Sequence, residues 1–264
     1  MESEPKRKLN SANRVVDILE AFAFENSVWS VSDLARRLKM SKAAAHAILA
    51  NLESRLFLEK DEETSRYSVG TRLWEIGVKF ASANKLPEIC DKWLRQLRDR
   101  SAESCYLAVY DHGEVLYIGK AESENPVQAY ALLGSRAPSH CTASGKVLLA
   151  AQSELEISRV LGEPLTTFAP ATVTDPSALL RIIEKTRSDG FATSDGEWRG
   201  EVTSIAVPVV FDTRLTAAIC ITGPTYRFDM ECALGFAPVL MRAAEEIRDH
   251  TFRMRTERTK NSHI

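Results

Sequence analysis

Residues 31–52 carry one apolar spacing twice. Val31, Leu34, Ala35 and Leu38 fall at i, i+3, i+4 and i+7, a single stripe of an amphipathic helix, and Ala45, Ile48, Leu49 and Leu52 repeat it. Ser30 with Asp33 supplies an S-x-x-D start for the first helix, and Ser41 stands as N-cap of the second. Lys39-Met40 is left for the turn, which holds no glycine. Helices this short bury little alone, and so close a connection is that of a helix-turn-helix, whose second helix enters the DNA major groove. Upstream, Val15, Ile18, Leu19 and Phe22 predict a third helix capped by Ser11 or Asn13. Downstream, Phe57–Lys60 and Arg66–Val69 predict two strands around residues 61–65. Three helices and a hairpin make a winged helix-turn-helix over residues 9–70, after a polar tail at 1–8.

The remaining pattern predicts a second domain. Leu73, Ile76, Gly77 and Phe80 mark a linker helix over residues 71–86, and Pro87 punctuates before a domain spanning 87–253 that opens with Ile89, Trp93, Leu94 and Leu97. Strands are expected at Cys105–Tyr110, Val115–Gly119 and Val127–Leu133, then helices at Ser144–Ala151, Glu154–Leu161 and Pro176–Asp189. The last of these has Asp175 as N-cap and Gly190 as its stop. Val202–Phe211 and Leu215–Thr222 read as a hairpin around Asp212-Thr213-Arg214, followed by a helix from Cys232 to Phe252 and a polar tail at 254–264. Strands, then helices, then strands indicate an α+β domain.

Composition narrows the function classes. With 264 residues, 44% hydrophobic and 27% charged, the chain has ordinary globular composition and room for two domains. A net charge of -2 argues against non-specific coating of nucleic acid, but Arg36, Arg37, Lys39, Lys42 and Arg55 cluster around the turn and reading helix, where phosphates would lie. The N-terminus MESEPKRKLN has no apolar core, and no run approaches the ~18 apolar residues of a membrane span. A cytoplasmic protein without membrane contact is expected. Its five cysteines, Cys90, Cys105, Cys141, Cys220 and Cys232, lack zinc spacing and read as reduced thiols, so neither metal nor cofactor is expected.

Several motifs then occur in order: SANRVVDILEAF, VSDLARRLKMSK, SRYSVGTRLWEIG, LAVYDHGEVLYIGKAES, GSRAPSHCTASGKVLLA, and GEVTSIAVPV ending in ITGP. Together they resemble the IclR-type transcriptional regulators over nearly the whole chain. The resemblance implies a winged helix-turn-helix joined by a linker helix to a GAF-like mixed α/β effector-binding domain. It also implies homodimers or homotetramers that bind double-stranded operator DNA and answer to small metabolites, often organic or aromatic acids, most simply as the repressor of a catabolic operon. Two departures stand out. Ala44, Ala45 and Ala47 replace the Thr, Val and Arg usual in the recognition helix. Glu201-Val202-Thr203-Ser204 replaces Gly-Leu-Arg-Cys, so Ser204 stands where a pocket cysteine is frequent.

On the helix opened by Ser41, positions 43, 46, 47 and 50 lie opposite the apolar stripe and hold Ala43, His46, Ala47 and Ala50. Small side chains let the backbone approach the groove, His46 is the polar base-edge candidate, and Ser41 and Lys42 aim at phosphate. Arg14, Arg55 and Arg66 are expected to read backbone and groove shape. In the second domain, a turn centred on Thr213 pairs Ser204 with Thr222 and Ala206 with Cys220, placing a small polar patch on one sheet face. A helix opening at Ala143 and Ser144 offers amides to a carboxylate, and the resemblance adds Ser194 and Ala129 to this pocket. Since it offers hydroxyls and amides but no arginine, a monoanion or neutral polar ligand is expected in preference to a dicarboxylate.

Two other readings compete: a cysteine-dependent hydrolase fused to a DNA-binding domain, prompted by adjacent His140 and Cys141, and an architectural winged helix. Gly145-Lys146 is no phosphate loop, because His140 and Val147 stand where glycine and a hydroxyl residue belong.

Overall fold

The computed structural model describes residues 11–129, 131–211 and 216–261, without the side chains of 80–84 and 255–261. Two compact units, Met1–Asn84 and Lys85–Ile264, divide the chain.

The first unit runs α1 (Ser11–Phe24), β1 (Val28–Trp29), α2 (Val31–Arg37), α3 (Lys42–Ser54), β2 (Leu58–Lys60), β3 (Tyr67–Val69) and α4 (Thr71–Asn84). The doubled stripe explains its core: Leu34 of α2 and Leu49 and Leu52 of α3 are buried with Ile18, Ala21 and Phe22 of α1 and Tyr67 of the wing. Ser30 and Ser41 accept the Asp33 and Ala44 amides, capping α2 and α3, each cap stabilising by ~1 kcal/mol. Lys39 makes the glycine-free turn possible by adopting φ 51°, a left-handed backbone that side chains rarely take. Asn13 lies inside α1 and Ser11 is its first residue, so neither is the cap expected of it. The two residues of β1 pair with β3 in a sheet of order β1-β3-β2; a strand that short leaves no alternation to read.

The second unit contains α5 (Leu86–Ser101), β4 (Ser104–Asp111), β5 (Glu114–Ala121), β6 (Arg136–Pro138), α6 (Ala143–Ala150), α7 (Glu154–Gly162), α8 (Pro176–Asp189), β7 (Ala192–Asp195), β8 (Val202–Val210), β9 (Thr216–Pro224), α9 (Met230–Gly235) and α10 (Ala237–Asn261). Its six strands form one antiparallel sheet of order β6-β5-β4-β9-β8-β7. Alternation divides the sheet. Cys105, Leu107, Ile205, Val207, Ile219 and Ile221 pack with Trp93, Leu94 and Leu97 of α5 and Leu240 and Ile247 of α10. Tyr106, Ala108, Ala206, Ala218 and Cys220 face Val147 and Leu148 of α6 on the other side.

Several expectations are corrected. Residues 127–133 form no strand among the described residues, Tyr130 lying outside them, and β6 is the third strand instead. The Tyr106 hydroxyl explains this: it donates to Ala129 O at 3.0 Å and accepts from Ala131 N at 3.1 Å, so a side chain replaces ladder bonds. Pro87 does not separate elements but sits in the first turn of α5, where a missing N–H costs nothing. The final helix divides at Phe236, and α10 continues to Asn261 through most of the expected polar tail. The turn at Asp212-Thr213-Arg214 lies outside the described residues, yet Ser204 does face Thr222 and Ala206 does face Cys220.

Gly145 allows α6 to press against the preceding loop. A Cβ there would stand 2.4 Å from Ser139 Cα and 2.4 Å from Ser139 O, both backbone atoms. Gly145→Ala is expected to destabilise the second unit by ~1–3 kcal/mol, the usual cost of overpacking. Urea unfolding checks this, and a midpoint equal to wild type would show that the Ser139 backbone yields freely.

Candidate functional site

The first unit presents α3 as its reading element. Ser41, Lys42, Ala43, His46 and Ala47 are exposed while Ala45, Leu49 and Leu52 point inward. Ala50 is half-buried. Asn51, exposed one turn beyond Ala47, belongs to the same face and was not singled out, although the spacing 43, 47, 51 signals it. Arg55 is exposed at the C-cap of α3, Arg66 is exposed just before β3, and Arg14 is half-buried on α1. The expected basic cluster divides. Arg36 pairs with Asp33 at 3.3 Å and Arg37 with Glu25 at 2.6 Å, whereas Lys39, Lys42 and Arg55 make no ion pair among the described residues, nor does the wing residue Arg66, which stands outside that cluster. The Ser30 hydroxyl, with Arg36 and Arg66, holds the Asp33 carboxyl below its ordinary value.

In the second unit a cavity opens between the sheet and α6. Its walls include Ala129, Thr142, Ser144, Ser194, Ser204, Cys220 and Thr222, so six of the seven residues expected at an effector site meet here. Ala143, the seventh, is buried behind the wall. Strand register assembles the polar patch. Ser194 pairs with Ser204, Ser204 with Thr222, and Thr222 with Ser104, a row of hydroxyl residues across β7, β8, β9 and β4. In the neighbouring row, Cys220 and Tyr106 line the cavity while Ala192 and Ala206 pack with α6. Ser194 Oγ donates to Cys141 O at 2.9 Å. Thr142 caps α6 by accepting the Gly145 amide at 3.1 Å, so that amide is engaged within the chain.

Aromatic and cationic groups complete the walls. Tyr106 and Tyr117 stack with centroids 5.4 Å apart, tilted by 59°, and burial raises the phenol of Tyr117, which the Ser144 hydroxyl meets. Between β7 and β8, residues 196–201 bring Trp198 and Arg199 to the cavity, the guanidinium 4.7 Å from the indole centroid. Arg199 corrects the expectation of a pocket without arginine and removes the ground for disfavouring a dicarboxylate. Its signal was the stretch GEWRG, an aromatic and a cation bounded by glycines; only the backward fold of the loop decides where they point. The tyrosines were legible in principle, since Tyr106 falls opposite Cys220 once β4 is placed beside β9.

The neighbouring His140 and Cys141 do not make a nucleophile. His140 Nε2 is bonded to Thr166 O at 2.9 Å, and burial pushes the Cys141 thiol up to about 12, which keeps it protonated near neutrality. Among the described residues no group of three His, Cys, Asp or Glu is placed to hold a metal, and no helix is long and apolar enough to cross a membrane.

A winged helix-turn-helix and a separate sheet domain with a small cavity walled by aromatic rings, alanines, hydroxyls and one arginine define the class of DNA-binding transcriptional regulators. Comparison with known proteins agrees. Residues 11–62 match the family model of the IclR helix-turn-helix domain, and residues 78–249 match that of the bacterial transcriptional regulator IclR C-terminal domain. The chain belongs to the IclR family of transcriptional regulators. It is 31% identical over 223 residues to the HTH-type transcriptional regulator XynR of Escherichia coli, covering 84% of this chain and 88% of that protein. It is 25% identical over 244 residues to the transcriptional repressor IclR of the same organism, covering 91% and 89%. An IclR homologue from Microbacterium hydrocarbonoxydans, solved in complex with 4-hydroxybenzoate, superimposes with a TM-score of 0.83 at 27% identity, covering 92% of this chain and 100% of that one.

Of the five cysteines, only Cys232 is exposed; burial raises all five thiols, but only the other four are closed off from solvent. A chromogenic disulfide at pH 8 is therefore expected to react rapidly with one thiol per native chain, lost in Cys232→Ser, and with all five after denaturation. Rapid labelling of Cys141 in the native protein would contradict the burial described.

Proposed function

We propose that this protein represses a catabolic operon, binding operator DNA as a homodimer or homotetramer in the cytoplasm, and that a small organic acid in the second-unit cavity controls its affinity. The observation that carries the ligand reading is the convergence of Ser144, Ser194, Ser204 and Thr222 with Arg199 in one cavity. Buried hydroxyls orient a polar group, the guanidinium attracts a carboxylate, and the walls of Tyr106, Tyr117 and Trp198 suit a planar ring. An aromatic monocarboxylate fits this set best. Support comes from the 4-hydroxybenzoate found in the Microbacterium homologue. The cavity volume of about 40 Å³ suffices for a few waters at ~10–15 Å³ each, so an acid of this size enters with displacement of the Trp198–Arg199 loop.

On DNA, Ser41 and Lys42 meet phosphate at the start of α3, Ala43 and Ala47 pack against thymine methyls, and His46 supplies the polar contact to a base edge. Arg14, Arg55 and Arg66 contact backbone and groove. One such helix covers few base pairs, which favours two copies on a near-palindromic site. Exposed Trp74 (72%), Ile76 (49%) and Val78 (40%) on α4 supply apolar surface for that pairing.

Gel-shift titrations over a salt series test the DNA reading. Lys42→Ala, Arg55→Ala and Arg66→Ala should each flatten the log–log salt slope by ~0.9 while sparing sequence preference, and His46→Ala should weaken preference while sparing the slope. A monomer by light scattering at micromolar concentration, or binding without sequence preference, would refute it. For the ligand, calorimetry with benzoate and 4-hydroxybenzoate should show binding that Arg199→Gln, Ser144→Val and Thr222→Val each weaken. Variants that bind and respond like wild type would place the site elsewhere.

A further inference from the structure

Lys146 and Glu197 form a buried ion pair that neither the DNA-reading helix nor the cavity lining includes. Lys146 Nζ donates to Glu197 Oε1 at 2.5 Å and to Thr193 O at 3.0 Å, with the two side chains only 3% and 12% exposed. Taking both charges out of water is costly, and apolar residues of similar size commonly stabilise a fold as well or better. The cost is not fully offset here, because Glu197 Oε2 is buried without a hydrogen-bond partner. Stability alone is therefore a poor reason for the pair.

Its position supplies a better one. Lys146 lies two residues after Ser144 on α6, so one turn of helix both lines the cavity and grips the opposite wall. Glu197 directly precedes Trp198 and Arg199, and it is held at three points. Its carboxylate meets Lys146, its carbonyl accepts from Thr172 Oγ1 at 2.6 Å, and Gly196 before it turns at φ 64° with its amide on Val202 O at 2.9 Å. Gly196 has no room for a side chain, since a Cβ would stand 2.9 Å from Gly200 O.

We infer that Lys146 and Glu197 are a positioning couple, which ties the cavity-forming end of α6 to the 196–201 loop and so sets where Trp198 and Arg199 stand over the cavity. The ligand part of this inference rests on the effector reading above; the placement of Trp198 does not. Displacement of the loop by a ligand would then pull on α6 through a charge pair that has no water to fall back on.

The test uses the full chain labelled with 5-fluorotryptophan. Its four tryptophans are Trp29, Trp74, Trp93 and Trp198, and Trp198→Phe assigns the fluorine resonance of Trp198. In Lys146→Met and in the isosteric Glu197→Gln, the Trp198 resonance should shift or broaden. Trp93, on the opposite face of the same sheet, and Trp29 should hold their positions. A purely structural pair would lower the melting temperature of these variants and leave the Trp198 resonance in place, which would overturn the inference. Should Lys146→Met fail to fold, Glu197→Gln decides the matter alone. Benzoate titration of the same samples separates the two layers. If wild type binds, both variants should lose affinity; if it does not bind, the effector reading is damaged and the fluorine result still judges the couple.

Discussion

The second unit depends on strict alternation along β4, β8 and β9. Odd-numbered residues of β8 and β9, Ile205, Val207, Ile219 and Ile221, enter a dry core with α5 and α10. Even-numbered ones, Ser204, Ala206, Cys220 and Thr222, face α6 and the cavity. A slip of one residue in a single strand would exchange the two sets, burying hydroxyls among isoleucines and placing isoleucines in the cavity. The same register that closes the core therefore also builds the cavity wall, and neither can be altered without the other.

The cavity's shape comes from small residues as much as from polar ones. Ala129, Ala131 and Cys220 leave space that larger side chains would fill, and Tyr106 spends its hydroxyl on Ala129 O and Ala131 N. Arg227 secures the approach to that segment from outside, donating to Val127 O at 2.7 Å and to the buried carboxylate of Glu103. The cavity walls on the sheet side are thus positioned by their own bonds.

In the first unit the same reliance on small side chains serves a different surface. The alanines of α3 supply helix propensity and a low profile, while the charges nearby are divided by partner. Arg36 and Arg37 are engaged with Asp33 and Glu25, and Lys42, Arg55 and Arg66 stand without an ion pair among the described residues. Sequence proximity grouped Arg36, Arg37, Lys39, Lys42 and Arg55 as one basic cluster. The folded arrangement separates those with an acidic partner from those without one among the described residues.

What the chain alone determined is whatever a local period or cap encodes. The two stripes over 31–52, the Ser30 and Ser41 caps, Asp175 and Gly190 at the ends of α8, and the pairing of Ser204 with Thr222 all follow from helix geometry, end chemistry or the symmetry of a hairpin. The family motifs added Ser194 and Ala129, which line the same cavity. Tertiary structure decided what joins distant segments. The described residues between 127 and 133 stay out of the sheet as Tyr106 captures Ala129 O and Ala131 N. Arg199 reaches the cavity because its loop folds back over it. Lys146 is buried because Glu197, fifty-one residues away, neutralises it. Each depends on a partner that no spacing in the chain specifies, since a buried hydrogen bond or charge is stable only when the whole fold delivers its counterpart and excludes water.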